Sequence, residues 1–256
     1  MTLSDIEHFA TIISGCEAIS RQDYKSGDSL YAQSVLKLQA NDMGSYAGQE
    51  GFLDGIKAAA GKAGEWIKKL IAAIRGWLTT AKQSTKEVGS EITSSKAKAK
   101  DAVVKADPET KEKIEKKAEA VHKLAVPQIK GFVSKLENLQ GQMKGDAWDK
   151  LGYTPKFEEV IKSLNAADKA YVHNDPFDLP EALNSACASL EAQIDALTTA
   201  LDRVSGSDEE RLAIGKAVGN KVQQLGNIAG GLSSFAKKAA IKVLDAFMTG
   251  DKPITI

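Results

Sequence analysis

Apolar residues recur along most of this chain at steps of three and four, the spacing that places them on one side of a helix. The most regular series lies over 183–204, and a second series with the same spacing lies over 218–243. Between them stand a short Ser-Gly-Ser turn and a capping box formed by Ser207 and Glu210. Two heptad helices joined by so short a turn predict a long antiparallel hairpin. Its seam positions are Leu183, Cys187, Leu190, Ile194, Leu197, Leu201, Val204, Val218, Val222, Leu225, Ala229, Leu232, Ala236, Ala239 and Val243.

Shorter apolar stripes precede this hairpin and predict further helices of a bundle. One stripe over 114–125 ends before Pro127, so we expect that helix to stop there, since proline has no N–H to donate. Further stripes predict one helix over 129–143 and a short one over 157–164, with Trp148 as a core anchor between them. By contrast, residues 83–106 are rich in Ser, Thr and Lys and poor in large apolar groups, which predicts a solvated connector, either helical or disordered.

The stretch 52–82 has the pattern of a basic amphipathic helix. Its membrane or partner face is predicted from Phe52, Ile56, Trp66, Ile67, Leu70, Ile74, Trp77 and Leu78. Its opposite side carries Lys57, Lys62, Lys68, Lys69, Arg75 and Lys82, which are candidates for binding an anionic partner. Two interpretations stay open for this helix: its apolar face packs on the bundle, or it lies on a membrane surface with Trp flanking the apolar stripe.

The N-terminal residues differ from the rest of the chain in charge. Lys and Arg total 34, as do Asp and Glu, so the whole chain is neutral. Residues 1–50 contain three basic and seven acidic residues, a net charge of −4, whereas 51–100 contain ten and four, a net charge of +6. Helices are predicted after the capping box of Ser4 and Glu7 and over 29–40, and the small and polar residues over 41–51 predict an exposed linker.

None of the motifs that support enzyme chemistry occurs in the sequence. His8, His122 and His173 are isolated, and Cys187 and the chain's second cysteine, Cys16, are far apart and form no CxxC unit. Cys187 falls on an apolar seam, where a small buried hydrophobe is expected. We therefore expect no enzyme, no catalytic residue, no metal site and no cofactor.

The N-terminal third of the chain resembles the internal head proteins of large tailed bacteriophages. The resemblance is carried by Gly15-Cys16-Glu17-Ala18-Ile19-Ser20, the helix over 30–38, and Gly48-Gln49-Glu50 followed by Gly51-Phe52 and the Lys/Trp helix. In such proteins an acidic propeptide directs the chain into the assembling prohead. A prohead protease then cuts after the Glu of a small-x-Glu tripeptide, and the remainder is packaged with DNA and can be ejected into the host.

The resemblance implies a cleavage site at Gly48, Gln49, Glu50 and Gly51, with the cut after Glu50. It also implies a prohead protease and capsid or scaffold proteins as partners, non-specific contact with packaged DNA, and a location in the phage head after assembly in the host cytoplasm. The same tripeptide pattern also occurs elsewhere in the chain, for example at Ala63-Gly64-Glu65, Gly89-Ser90-Glu91 and Ser189-Leu190-Glu191.

Together these patterns predict an all-α protein. Its parts would be an acidic propeptide-like segment over 1–50, a basic amphipathic helix with a polar connector over 51–106, and a helical bundle over 107–256 that ends in the antiparallel hairpin. The leading functional hypothesis is a non-enzymatic internal virion protein. Two alternatives stay open: a helical membrane-active protein of the pore-forming or toxin-like class, with peripheral membrane contact, and a coiled-coil adaptor that forms a homo-oligomer.

Overall fold

The computed structural model describes residues 11–12, 14–15, 18, 23, 25–42, 63–103, 108–170, 177–206 and 208–248. Over these residues it contains seven α-helices and no strand, which confirms the predicted all-α class. The helices are α1 (Gly27–Asp42), α2 (Ala63–Val103), α3 (Pro108–Gln142), α4 (Asp146–Leu151), α5 (Glu158–Asp168), α6 (Asp178–Asp202) and α7 (Asp208–Met248).

The chain forms two compact units. The first contains Met1–Gly76 together with Arg203–Asn220, and the second contains Trp77–Asp202 together with Lys221–Ile256. The boundaries between the units fall inside α2 and inside α7. The first part of each helix belongs to the first unit and the rest belongs to the second. Residues 77–103, predicted as part of a separate basic segment, belong to the same unit as α3 to α6.

The core of the second unit is built from the predicted seams. Every seam side chain from Leu183 to Leu201 on α6 and from Val222 to Val243 on α7 is at most 1% exposed. Val204 is only half-buried. The two helices meet where the Cys187 thiol contacts the Ser233 hydroxyl, while the turn of the predicted hairpin lies in the other unit. Burial of the seam is thus confirmed, and the hairpin geometry stays a prediction.

Helix α3 packs against α7 in the antiparallel direction. The rings of Phe132 and Phe235 lie 5.9 Å apart, and toward the other end of α3 the Lys221 ammonium donates to the Gln142 side-chain oxygen. A Cβ on Gly231 would lie 3.4 Å from the Phe132 ring, so this glycine lets the ring lie close to the α7 backbone. These contacts fix the register of the two helices.

The short helices α4 and α5 close one side of the second unit. Trp148 is 3% exposed, which confirms its predicted place in the core, and its ring lies 6.1 Å from that of Tyr153. The segment between α4 and α5 is attached to α6 through Gln193, whose side-chain oxygen accepts a hydrogen bond of 3.1 Å from the Lys156 amide. Phe157, just before α5, and Leu164 within it are both fully buried, so this side of α5 faces the core.

The prediction of a solvated connector over 83–106 is wrong for the residues up to Val103. Helix α2 continues through this stretch, and one side of it is buried in the second unit. The reason is that between residues 83 and 103 the seam has only Val88 and Ile92 as larger apolar residues, and its other positions are small or hydroxyl-bearing, so large apolar groups alone do not reveal its period. The buried positions, which alternate steps of three and four, are Leu78, Ala81, Thr85, Val88, Ile92, Ser95 and Ala99.

The predicted helix break at Pro127 is also wrong, because α3 runs without interruption from Pro108 to Gln142. Buried residues on both sides of the proline, among them Ala125 and Ile129, lie on one continuous stripe. Pro127 itself lies on the exposed side, where its ring meets solvent. Burial of the stripe outweighs the loss of one backbone hydrogen bond at this position.

Candidate functional site

The first candidate site is the predicted cleavage site. Gly48, Gln49, Glu50 and Gly51 are outside the residues that the structure describes, in the interval between the end of α1 at Asp42 and the start of α2 at Ala63. Three other copies of the tripeptide lie within helices. Ala63-Gly64-Glu65 begins α2, Gly89-Ser90-Glu91 is in the middle of α2, and Ser189-Leu190-Glu191 is in α6.

Helical copies of the tripeptide are poor protease substrates, because a protease binds its substrate as an extended strand. In the copy at 89–91, the carbonyl of Gly89 accepts a hydrogen bond from the Thr93 hydroxyl of the same helix. In the copy at 189–191, Leu190 is fully buried. Cleavage at either place would require local unfolding of a long packed helix. Two further matches, Gly15-Cys16-Glu17 and Ser207-Asp208-Glu209, are only partly within the described residues, so the helices argue against three of the competing tripeptides and not against all of them.

The leader, by which we mean residues 1–50, contains a folded element with a defined start. The Asp23 carboxylate accepts hydrogen bonds from the backbone amides of Lys25 and Ser26, each 3.1 Å long. The Ser26 hydroxyl then accepts one from the Ser29 amide at 3.3 Å, which caps the first turn of α1. This local chemistry explains why the helix begins at Gly27.

The predicted amphipathic face is only partly within the described residues. Phe52, Ile56, Lys57 and Lys62 lie outside them. Trp66, Ile67, Lys68, Lys69, Leu70, Ile74 and Trp77 all lie within α2, in agreement with a helix over this stretch. The described side chains of the predicted set are those of Arg75, Leu78 and Lys82.

Leu78 belongs to the core of the second unit, with 1% of its side chain exposed. Ile71, which flanks the predicted stripe, is 6% exposed and lies in the first unit. At these two positions the apolar side of α2 packs on the rest of the protein, as one of the two open interpretations expects. A membrane could reach Leu78 only after the second unit opened.

The lysines at the centre of α2 are engaged by α6. The Lys82 ammonium lies 2.6 Å from the Asp195 carboxylate, Lys86 lies 3.7 Å from Glu191, and Lys96 lies 2.6 Å from Glu181. As the residue number rises on α2 it falls on α6, so the helices are antiparallel.

Hydrogen bonding to Asp195 and the charges of Asp195 and Glu191 raise the pKa of Lys82. Lys82, predicted to bind an anionic partner, already has one inside the chain. A fourth pair joins Glu87 on α2 to Lys237 on α7 at 2.8 Å, and the hydrogen bond lowers the pKa of Glu87.

Sequence reasoning did not identify the acidic partners of these lysines, although a signal was present. The spacings between the lysines, four and then ten residues, equal the spacings between Asp195, Glu191 and Glu181 read backwards. Matching spacings of opposite charge are what two antiparallel helices with a charged border produce. The match becomes informative only once α2 is known to continue as a helix to Val103.

The side chains of His122 and Cys187 have structural roles. His122 contacts the backbone oxygen of Asp168 at 3.0 Å and so joins α3 to the end of α5. Cys187 is buried, as predicted, and burial raises the pKa of its thiol to about 12. Over the residues described, no group of three or more His, Cys, Asp or Glu side chains could hold a metal ion, and no helix is both long and apolar enough to cross a bilayer.

Comparison of the chain with protein-family models, with curated proteins and with solved structures found no match.

Proposed function

We propose that this chain is a non-enzymatic internal virion protein of a tailed bacteriophage, cleaved after Glu50 during assembly of the head. The leader would direct the chain into the prohead, and the cleaved body would be packaged with the DNA and ejected with it. The proposal starts from the resemblance of the N-terminal third to that family. Its support in the structure is that three of the competing tripeptides, those ending at Glu65, Glu91 and Glu191, lie within helices, where a protease cannot bind them as extended strands.

The charge distribution supports the same proposal. Removing residues 1–50, with a net charge of −4, converts a neutral chain into a body with a net charge of +4. A body of positive charge is attracted to the phosphates of packaged DNA without base-specific contacts. While the leader is still attached, its negative charge would oppose this attraction.

The adaptor alternative receives less support from the packing. A coiled-coil adaptor needs an apolar seam available to another chain. The seams of α6 and α7 are already buried within the second unit, with Leu190, Ile194 and Leu225 fully covered. For this reason we prefer the internal virion protein to the coiled-coil adaptor as the function of this chain.

The direct test is mass spectrometry of the protein isolated from purified virions, for which we expect a chain that starts at Gly51. A sharper test is co-expression with the prohead protease of the producing phage. The Glu50→Gln variant should remain uncut, whereas Glu91→Gln, which changes a matching tripeptide inside α2, should be cut like the wild type. A virion chain that still begins at Met1, or cleavage of Glu50→Gln at the same position, would refute the proposal.

A further inference from the structure

The charges of the second unit are divided between its helices. From Lys221 to Leu244, α7 contains four basic residues and no acidic one. The stretch of α3 from Ala120 to Leu136 contains three lysines and no acidic residue. Helix α6, by contrast, contains five acidic residues and neither Lys nor Arg. Positive charge is therefore concentrated on α3 and α7, and negative charge on α6.

Only part of this positive charge is neutralised inside the chain. Three acids of α6 pair with lysines of α2, as described above. On α7, Lys237 pairs with Glu87, 2.8 Å away. Lys135 of α3 and Lys238 and Lys242 of α7 form no ion pair with any residue that the structure describes. Lys135 and Lys238 are exposed and Lys242 is half-buried, so a partner outside the chain can reach all three.

The three lysines lie on adjoining sides of α3 and α7. The Lys135 ammonium is 5.7 Å from the centre of the Phe132 ring, and that ring is 5.9 Å from the ring of Phe235. Lys238 follows Phe235 by three residues and Lys242 follows it by seven, and both spacings keep residues on the same side of a helix. The lysines therefore border the line along which α3 and α7 pack.

The surface between these lysines is polar and low. Gly231 is exposed, and a Cβ there would lie 3.4 Å from the Phe132 ring, so the helices approach closely at this point. Asn227 and Ser234 lie on the same side of α7 as Gly231, at steps of four and three, and Gln128 lies two turns before Lys135 on α3. All three are exposed. Side-chain amides, hydroxyls and ammonium groups are the usual donors to phosphate oxygens.

We infer that this side of the second unit binds the phosphate backbone of duplex DNA. The binding surface, the α3–α7 face, consists of Gln128, Lys135, Asn227, Ser234, Lys238 and Lys242. The face rests on the packing and charges of α3 and α7, and the identification of the duplex as packaged phage DNA rests on the proposed function. Lys82, which the sequence suggested for an anionic partner, is instead engaged by Asp195.

A DNA backbone fits the α3–α7 face better than a lipid surface does. A helix that lies in a bilayer interface needs a continuous exposed apolar side. The apolar sides of α3 and α7 are buried in the core, and the large apolar residues that these helices expose, within the described part of the chain, are Leu124 and Ile241. Single exposed aliphatic side chains are ordinary on soluble proteins.

The test measures binding of the full chain to a mixed-sequence duplex by fluorescence anisotropy, from about 50 to 200 mM salt. The variant with Lys135→Gln, Lys238→Gln and Lys242→Gln together should bind at least about tenfold more weakly than the wild type at about 100 mM salt. The slope of the logarithm of the binding constant against that of salt concentration should become shallower by about 2 to 3, because each lost phosphate contact releases about 0.9 counterion fewer.

A second triple variant is the matched control. It removes the same number of charges from lysines that pair with a carboxylate of their own helix, and it should bind within about twofold of the wild type. Its substitutions are Lys113→Gln, Lys116→Gln and Lys150→Gln, whose partners are Glu109, Glu112 and Asp146.

Two exposed serines provide an independent pair of variants that keeps every lysine. Ser234→Glu places an acid within the α3–α7 face and should weaken DNA binding several-fold. Ser185→Glu adds the same charge on the exposed side of α6 and should bind like the wild type. If the first triple variant loses helical circular dichroism, this pair decides.

Equal weakening by the two triple variants would overturn the inference, because net charge and not the α3–α7 face would then govern binding. Absence of DNA binding by the wild type at the lowest salt would also overturn it, as would binding only to phosphatidylglycerol vesicles. Because DNA binding is measured on the purified chain without any protease, a failure here is separate from a failure of the proposed processing, which the virion chain start reports.

Discussion

At the residue scale, Cys187 shows how burial controls the chemistry of a side chain. It lies on the seam of α6, is 0% exposed, and has Ser233 and Lys237 as its polar neighbours on α7. Desolvation raises the pKa of the thiol to about 12, and the Ser233 hydroxyl and the Lys237 charge offset this rise only in part. The thiol is therefore a neutral core group, not a nucleophile.

This shift predicts a loss of stability at high pH. The unfolded thiol ionises above its ordinary pKa of 9.0, while the folded thiol stays neutral up to about 12, so the free energy of unfolding falls as the pH rises through that window. We expect urea midpoints measured from pH 8 to pH 11 to fall more steeply for the wild type than for Cys187→Ala, which has no thiol to ionise at this position. Parallel pH profiles for the two proteins would contradict the assignment.

At the element scale, α2 and α3 show why helix ends are hard to read from apolar residues alone. The buried side of α2 includes Ala81, Thr85 and Ser95, and the hydroxyl of Thr85 donates to the Lys82 carbonyl at 2.8 Å. Such a hydroxyl is satisfied within its own helix, so it can be buried against a neighbour without a partner on that neighbour. A seam of this kind has the same periodicity as a seam of leucines but little hydropathy.

Pro127 provides a test of how the packing of α3 overrides a local signal. Replacing it with alanine restores an N–H donor in the middle of the helix and removes the ring, and its exposed position leaves the core unchanged. We expect Pro127→Ala to raise the free energy of unfolding by about 2 kcal/mol. The matched control is Pro108→Ala at the first residue of α3, where proline is favourable and the change should be a decrease of less than about 1 kcal/mol. Chemical denaturation measures both, and a loss of stability in Pro127→Ala would show that the ring has a packing role.

At the scale of the whole molecule, the two compact units differ in what they are made of. The second unit has a continuous apolar core from α3, α5, α6, α7 and the central part of α2, bordered by the ion pairs of Lys82, Lys86 and Lys96. The first unit combines the leader with the start of α2 and the start of α7. None of the core residues of the second unit named above belongs to the leader.

This organisation predicts that removal of residues 1–50 leaves the second unit folded. By differential scanning calorimetry, we expect the main transition of the 51–256 chain to lie within about 4 °C of that of the full chain, because none of its core residues is lost. The control is Ile194→Ala in the full chain, which deletes a fully buried side chain and should destabilise the second unit by about 3 kcal/mol. Collapse of the main transition on removal of the leader would show that the leader belongs to the bundle core.

The candidate site was accessible from the sequence to different degrees. The exposed linker over 41–51, which contains Glu50, is predicted from its small and polar residues, which lack any apolar period. The pairing of Lys82 with Asp195 does not follow from local sequence, because two residues separated by more than a hundred positions meet only when their helices are assigned to each other. For the same reason, the sequence left open whether Leu78 faces a bundle or a membrane.

The sequence by itself determined the helical class and the buried sides of α6 and α7, since a repeat of large apolar residues has one favourable arrangement in water. Tertiary structure decided where α2 ends, that α3 continues through Pro127, and which acids neutralise the lysines of α2. Each of these depends on what a neighbouring helix offers. A small or polar residue is buried only when a partner approaches closely enough, and an ion pair exists only when two distant helices share a register.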